Sequence, residues 1–258
     1  MRMRFLLFIL HAVLCVSLSV PVFAAEKKVV LASLNWPPYT GDELPGQGAS
    51  AEVVRAAFKA VGYDVEIRIF PWVRAFNEAR YNLDVAGYFP EYKSVERGKY
   101  FLFSDRIGRS ALGLVERSSA SVHWDEVTDL KKYFIGVVRG YVNTTSFDSM
   151  VEAGEIRVDE SVSDLFNLRK VLAGRVDMAV ADINLFNYWS NFDEQLSSRR
   201  GELSVNPHLL GINDMHVCFR NGRTGEKLMK AFNAGLQLID VSGIQQAYFK
   251  DLYKNVTK

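Results

Sequence analysis

The sequence predicts an α/β protein of two lobes, each a mainly parallel sheet flanked by helices. The first observation is that apolar strands alternate with amphipathic helices in the N-terminal part of the chain. We predict a strand over residues 28–34, a helix over 50–61, a strand over 65–69, a helix over 72–80 and a strand over 83–88. Such alternation favours a parallel sheet with helices on its faces.

The second observation is that the later part of the chain repeats this plan. We predict a strand over 133–138, helices over 146–153 and 163–173, a strand over 176–181, a helix over 224–239 and a last helix that Ser242 caps. Ser163 is a candidate N-cap, because a hydroxyl just before a helix accepts a backbone N–H of its first turn. The repetition indicates a second α/β unit.

The third observation is a short internal echo in which each copy follows a predicted helix. The two copies are Leu83-Asp84-Val85-Ala86 and Val176-Asp177-Met178-Ala179. Chance is an alternative explanation for so short a match. If the copies are equivalent, they mark corresponding strands of two lobes, and a ligand cleft would lie at the carboxyl ends of the strands.

The N-terminus predicts export. Arg2 and Arg4 precede an apolar run over residues 5–20, and small residues end at Ala24, which is the plan of a secretory signal peptide over residues 1–24. An uncleaved membrane anchor is the alternative, but the run is short for a span of about 20 residues. We therefore expect a periplasmic protein.

Composition narrows the function classes. Hydrophobic residues make up 48% and charged residues 24% of the 258 residues, as in an average globular protein, which argues against a disordered, collagenous or multi-span membrane protein. Without the leader the chain has 29 basic and 30 acidic residues, so nothing indicates a nucleic-acid partner. Leu14 before Cys15 argues against lipidation, and Cys218 is then the remaining cysteine, so no internal disulfide is expected.

Charged and aromatic residues follow the predicted strands. Arg97 lies after the strand over 83–88, and Asp182 follows the strand over 176–181. An arginine fork suits a carboxylate and an aspartate suits an ammonium, so together they would bind an amino acid. A surface arginine and a helix N-cap are the alternatives. The aromatic residues near these strand ends are candidates to cover a ligand, with a core position as the alternative for each: Trp36, Tyr39, Trp72, Tyr88 and Phe89.

Six short segments then occur in a characteristic order. They are Trp36-Pro37-Pro38-Tyr39, Gly48 through Glu52, Leu83-Asp84, Glu96-Arg97 with Phe103-Ser104-Asp105, Gly136-Val137-Val138-Arg139-Gly140, and Gly174-Arg175-Val176-Asp177 followed by Asp182. Over nearly all of its length after the leader, the chain resembles the bacterial periplasmic solute-binding proteins of ABC importers for polar amino acids.

The resemblance implies a type II periplasmic-binding fold that closes on its ligand by a hinge motion. Lobe one would combine residues 25–111 with 208–258, and lobe two would be 112–207. Arg97 would hold the ligand α-carboxylate and Asp182 its ammonium. The implied partners are a small amino acid-like ligand and an inner-membrane ABC permease, and we expect a monomer.

The sequence departs from the family at positions that line the pocket in its relatives. Ser94-Val95 replaces the usual Thr-Pro, and Tyr141-Val142-Asn143 follows Gly140 where hydroxyl residues are common. A ligand other than a standard polar amino acid is therefore an open alternative, and Tyr141 joins the candidate ligand contacts. The segment around Trp72 resembles a branch with an aromatic-rich cleft, and Arg74 is a candidate second anion contact or else a helix-surface arginine.

No metal, nucleotide or catalytic motif occurs in the sequence, so we predict neither a cofactor nor a metal and no enzymatic activity. Three functions stay open: capture of an amino acid or similar small zwitterion for an ABC importer, ligand sensing for a chemoreceptor or kinase, and an enzyme such as a dehydratase on the same scaffold.

Overall fold

The computed structural model describes residues 27–254, so the predicted leader lies outside the described residues. The strands are β1 (Lys27–Ser33), β2 (Tyr63–Ile69), β3 (Gly87–Tyr92), β4 (Phe101–Phe103), β5 (Gly108–Arg117), β6 (Phe134–Val138), β7 (Arg157–Ser161), β8 (Met178–Asp182), β9 (Leu203–Val205) and β10 (Gly211–Arg220). The helices are α1 (Ala49–Ala60), α2 (Trp72–Tyr81), α3 (Val95–Gly98), α4 (Thr145–Glu152), α5 (Asp164–Leu172), α6 (Ile183–Phe192), α7 (Glu194–Ser197), α8 (Arg223–Leu236) and α9 (Val241–Tyr253). None of these helices has the length and apolarity of a membrane span.

The ten strands form one continuous sheet whose two ends follow the same plan. One end has the parallel order β2-β1-β3 and the other the parallel order β7-β6-β8. We call the part built on β1–β4 the first half and the part built on β6–β9 the second half. The two copies of the internal echo both lie at the entry to the third strand of a half: the first copy ends just before β3, and the second overlaps the first two residues of β8. The predicted two-part α/β fold is confirmed.

Two long antiparallel strands, β5 and β10, connect the halves. β10 pairs with β3 through its later residues and with β5 over residues 211–215, while β5 pairs with β8 over residues 112–116. The chain passes into the second half along β5 and returns along β10. A hinge between the halves would therefore act on these two strands.

The packing of α1 shows how a predicted helix is used. Val53, Val54, Ala57 and Phe58 form its buried face, at the spacing that predicted the helix. α8 packs against this face, and the ring centroids of Phe58 and Phe232 are 4.9 Å apart. Full burial of one such ring stabilises the fold by roughly 1.5–3 kcal/mol.

The strand predicted to begin at Leu83 begins later, so that boundary is wrong. Leu83 is 89% exposed. The side-chain oxygen of Asn82 accepts the Asp84 backbone N–H at 3.0 Å, which forms a turn before the chain enters β3 at Gly87. An apolar residue in a turn resembles the start of a strand when only the sequence is considered.

The strand predicted to begin at Val176 likewise begins two residues later, at Met178. The carboxylate of Asp177 accepts the backbone N–H of Phe134 at 2.8 Å and closes the turn into β8. Asp177 thus has a structural role, because its side chain links the entry to β8 with the start of β6.

Two predicted helix caps have different outcomes. Ser163 caps α5, where its hydroxyl accepts the Phe166 N–H, and that prediction is confirmed. Ser242 does not cap α9. The N-cap is Asp240, whose carboxylate accepts the Gly243 N–H at 2.9 Å, because a carboxylate two residues earlier satisfies the first turn.

Gly235→Ala should destabilise the protein. A Cβ on Gly235 would lie 2.0 Å from the carbonyl oxygen of Ala57, so α8 would have to move away from α1. Overpacking of this kind costs about 1–3 kcal/mol, and we expect that loss in the free energy of unfolding measured with urea. Gly98→Ala is the matched control, since a Cβ there meets no atom within 4 Å. Equal stability of both variants would contradict this account of the α1–α8 contact.

Candidate functional site

A small cavity, here called the cleft cavity, lies between the two halves where three parallel strands end. Leu34 follows β1, Glu91 lies near the end of β3, and Tyr141 follows β6. The other lining residues are Trp36, Trp72, Pro90, Tyr92 and Val142. Its volume is about 30 Å³, which is room for one or two water molecules. A larger open groove of about 1090 Å³ adjoins the cleft cavity, shares Tyr92 and Val142 with it, and is lined from both halves, by Arg97 on one side and Asn143 on the other.

Arg97, the predicted carboxylate contact, forms an ion pair with Glu91. Arg97 Nε lies 2.6 Å from Glu91 Oε2, and the two side chains are 16% and 3% exposed. Glu91 also accepts the Tyr88 hydroxyl at 2.9 Å and the Tyr92 backbone N–H at 3.0 Å. Burial raises the pKa of Glu91, and the Arg97 charge and these donors oppose that rise.

The backbone carbonyl of Gly140, in the second half, accepts two hydrogen bonds from the first half. Trp72 Nε1 donates at 2.9 Å and Arg97 Nη2 at 2.7 Å. The Trp72 ring also meets the Tyr141 ring edge-on, with centroids 5.6 Å apart. These contacts hold the two halves together at the cleft.

Asp182 is both a helix cap and a cleft residue. Its Oδ1 accepts the Leu185 N–H at 2.9 Å and caps α6. Its Oδ2 accepts the Ser110 hydroxyl at 2.6 Å and the Tyr39 hydroxyl at 3.2 Å, and the second of these bonds comes from the first half. Burial raises the pKa of Asp182 to about 6, although these donors act to lower it.

A further buried carboxylate, Asp164, lies behind Tyr141. The Tyr141 hydroxyl donates to Asp164 Oδ2 at 3.3 Å. On the other side of the cavity the Tyr92 hydroxyl donates to Ser110 at 2.6 Å, and Ser110 donates to Asp182. Burial raises the pKa of Asp164 to about 7. Within residues 27–254, neither Asp164 nor Asp182 has a cationic partner.

Four of the predicted aromatic contacts lie at the cleft. Trp36, Trp72 and Tyr141 line the cavity. Tyr39 stacks on Trp36 with ring centroids 4.6 Å apart, and its hydroxyl reaches Asp182. The indole N–H of Trp36 is buried and has no hydrogen-bond partner in the described part of the chain.

The other three candidates, Tyr88, Phe89 and Arg74, do not line the cavity, and Phe89 is fully buried in β3. Tyr88 is fully buried among aromatic rings and reaches the site through its hydrogen bond to Glu91. Arg74 lies on the solvent side of α2, where its side chain is 64% exposed and its Nε lies 3.3 Å from Glu78. Arg74 thus has the position of a helix-surface arginine, the alternative that the sequence left open.

Sequence reasoning missed Glu91, Asp164 and the Gly140 carbonyl. A signal for Glu91 was present, because it is the only charged residue between Val85 and Tyr92 and lies at a strand end. Asp164 follows the Ser163 N-cap, where acidic residues are common, so the sequence did not indicate that this carboxylate would be buried. Across residues 27–254, no cluster of three His, Cys, Asp or Glu side chains is placed to hold a metal ion.

Trp72→Phe should loosen the contact between the halves. It keeps a ring but removes the hydrogen bond to Gly140, which contributes about 0.5–1.5 kcal/mol. Backbone amides of residues 139–144 should then exchange hydrogen for deuterium about two to ten times faster. Trp124→Phe is the matched control, because the Trp124 indole N–H has no partner to lose. Unchanged exchange in Trp72→Phe would show that this bond does not hold the halves together.

Asp164 should make the wild type less stable as pH rises. Its pKa is raised from 3.8 to about 7, so between these values the folded state binds more protons than the unfolded state, and stability falls. Relative to Asp164→Asn, the wild-type free energy of unfolding should fall by up to about 4 kcal/mol between pH 4 and pH 8. Tyr141→Phe removes a donor that lowers this pKa, so its fall should extend to higher pH. Parallel pH profiles for the wild type and Asp164→Asn would refute the assignment.

Comparison with known proteins places this geometry in a known fold. No protein-family model and no curated protein matches the sequence. The structure is similar to a histidine kinase sensor domain described as resembling periplasmic binding proteins, with a TM-score of 0.74, 19% identity, and 88% of this chain and 96% of that chain covered. It is also similar to an ancestral arginine-binding protein bound to arginine, with a TM-score of 0.70, 16% identity and coverage of 87% and 97%.

A third similar structure is an amino acid ABC transporter substrate-binding protein from Streptococcus pneumoniae bound to L-arginine. Its TM-score is 0.70 at 16% identity, and 90% of this chain and 96% of that chain are covered. Identities of 16–19% establish the fold rather than the ligand. The chain therefore has the type II periplasmic-binding-protein fold that amino acid ABC transporter substrate-binding proteins also have.

Proposed function

We propose that the protein is a periplasmic solute-binding protein that captures a small molecule between its halves and delivers it to an ABC importer. Lobe one would comprise residues 25–111 and 208–258, and lobe two residues 112–207. The leader over residues 1–24 would direct export, and the partner would be an inner-membrane permease. The protein would act as a monomer and release its ligand unchanged.

The observation that carries this proposal is that groups from both halves meet at the cleft, where Trp72 and Tyr141 line the cavity and Arg97 bonds to Gly140 beside it. Trp72 and Arg97 come from the first half, while Gly140 and Tyr141 come from the second. A molecule enclosed there would touch both halves, so its binding would favour their contact over their separation. That differential affinity is what couples ligand binding to a hinge motion.

The present cavity holds one or two waters, so ligand entry requires the halves to part. The side-chain hydrogen bonds that would break are two to Gly140, one from Tyr39 to Asp182, one from Asn184 to Tyr39 and one from Asn213 to Asn143. Each contributes about 0.5–1.5 kcal/mol in a structure exchanging with water. Rotation about β5 and β10 would open the cleft while leaving each half folded.

A sensory receptor is the second candidate, because the same fold forms the sensor domain of a histidine kinase. In that role the closed lobes would report to a kinase rather than to a permease. A neighbouring permease gene would favour import, and a neighbouring kinase gene would favour sensing.

Ligand binding is the direct test. The full-length chain would be expressed in a bacterium, recovered from the periplasmic fraction, stripped of carried ligand by unfolding and refolding, and its melting temperature measured with amino acids, amines, small peptides and organic acids. A ligand at 100 times its Kd adds about 2.7 kcal/mol of stability. We expect a shift with one compound class and recovery of that compound unchanged.

Two results would contradict the proposal. A well-folded preparation that no small molecule stabilises would argue for a protein partner instead. Conversion of the bound compound to a product would argue for an enzyme.

A further inference from the structure

The cleft already contains a carboxylate bound to the arginine that was predicted to hold a ligand. Glu91 Oε2 lies 2.6 Å from Arg97 Nε, and Arg97 Nη2 donates to the Gly140 carbonyl at 2.7 Å. The charge of Arg97 is therefore balanced within the protein. A ligand carboxylate would therefore meet an arginine whose charge is already neutralised by Glu91, and it could use only the N–H groups that Glu91 and Gly140 leave free.

Displacement is unfavourable because of where Glu91 lies. Its side chain is 3% exposed, so it cannot turn to solvent without rearrangement of β3. Loss of one partner from a buried ion pair leaves an uncompensated charge, and that is strongly destabilising. The site thus discriminates against ligands that carry a carboxylate.

The remaining electrostatics of the cleft favour a cation. Asp164 accepts a hydrogen bond from Tyr141, which lines the cavity. Asp182 is linked through the Ser110 hydroxyl to Tyr92, which also lines the cavity. Their carboxylates have hydroxyl and backbone donors but no cationic partner within residues 27–254. The cleft therefore has more buried acidic groups than basic ones. A positive ligand would offset this excess, since opposite charges interact more strongly at low dielectric constant.

The walls of the cavity suit an organic cation rather than a bare ion. Trp36, Trp72, Tyr92 and Tyr141 present aromatic rings to it. Aromatic faces attract ammonium and guanidinium groups, most strongly when water is excluded. The protein already uses this contact, because the Arg97 guanidinium lies 4.6 Å from the centre of the Phe76 ring.

Resting on the solute-binding function proposed above, we propose that the cleft binds a small organic cation that lacks a carboxylate. Glu91 is the residue that determines this specificity, because it occupies Arg97. The ligand class is an amine, guanidine or quaternary ammonium compound. Its charge faces the aromatic rings and the buried acidic groups of the cleft.

Matched pairs of compounds test the ligand class. L-arginine and agmatine, L-lysine and cadaverine, and L-phenylalanine and phenethylamine differ within each pair by one carboxylate. Calorimetric titration of the wild type, exported from the full-length chain and stripped of ligand, should show binding of at least one amine about tenfold or more tighter than its amino acid. Equal or tighter binding of the amino acid in every pair that binds would overturn the proposal.

Variants of Glu91 test its role independently of the natural ligand. Glu91→Ala frees Arg97, so the amino acids of the three pairs should gain about tenfold or more in affinity over the wild type. Glu91→Gln keeps the size of the side chain and serves if the alanine variant does not fold. Glu66→Ala is the control, since it removes the partner of Lys28 and Arg68 in an exposed ion pair away from the cleft. Folded Glu91 variants with no gain for amino acids would overturn the assignment.

The outcomes separate this inference from the function on which it rests. Tight binding of amino acids by the wild type would remove the inference and leave the solute-binding function in place. Failure of every compound to bind both the wild type and the Glu91 variants would contradict the solute-binding function as well.

Discussion

The ion pair between Glu91 and Arg97 is the constraint on which the arrangement of the cleft depends. A charge this deeply buried must be paired, and each member provides the partner of the other. The carboxylate of Glu91 also accepts hydrogen bonds from the Tyr88 hydroxyl and the Tyr92 backbone N–H, which fixes both groups. Satisfying Arg97 brings the Gly140 carbonyl from the second half into contact. One ion pair thus sets the end of β3, the position of α3 and the approach of the two halves.

The scaffold makes this arrangement possible because its two halves repeat one strand order. β1 and β6 are the central parallel strands of their halves, and their carboxyl ends face the same cleft. Loops at strand ends are free to carry polar groups, since the sheet supplies the stability. β5 and β10 connect the halves and place Ser110 beside Asp182. β3 and β8 hold the same place in the strand order of their halves, and a copy of the internal echo lies at the entry to each.

Asp182 shows that two competing interpretations of one residue are compatible. One carboxylate oxygen caps α6, and the other accepts hydroxyl groups in the cleft. A carboxylate has enough lone pairs for both roles. Asp182 can be buried because hydrogen-bond donors from the helix and from the cleft replace the water molecules that would otherwise bind its carboxylate. The same residue type at an exposed cap would give no information about a site.

The sequence by itself determined the α/β class, the order of most strands and helices, and which residues follow the strands. These features depend on local periodicity and on turn residues, which a sequence displays directly. It placed Trp36, Trp72 and Tyr141 at the cleft, and it erred at strand starts near Leu83 and Val176, where a turn contains apolar residues. Only the tertiary structure decided the partner of each charge. Arg97 meets a carbonyl 43 residues away, and Tyr39 meets a carboxylate 143 residues away. Local sequence patterns do not indicate pairings between residues so far apart in the chain, because these pairings form only when the two halves pack together.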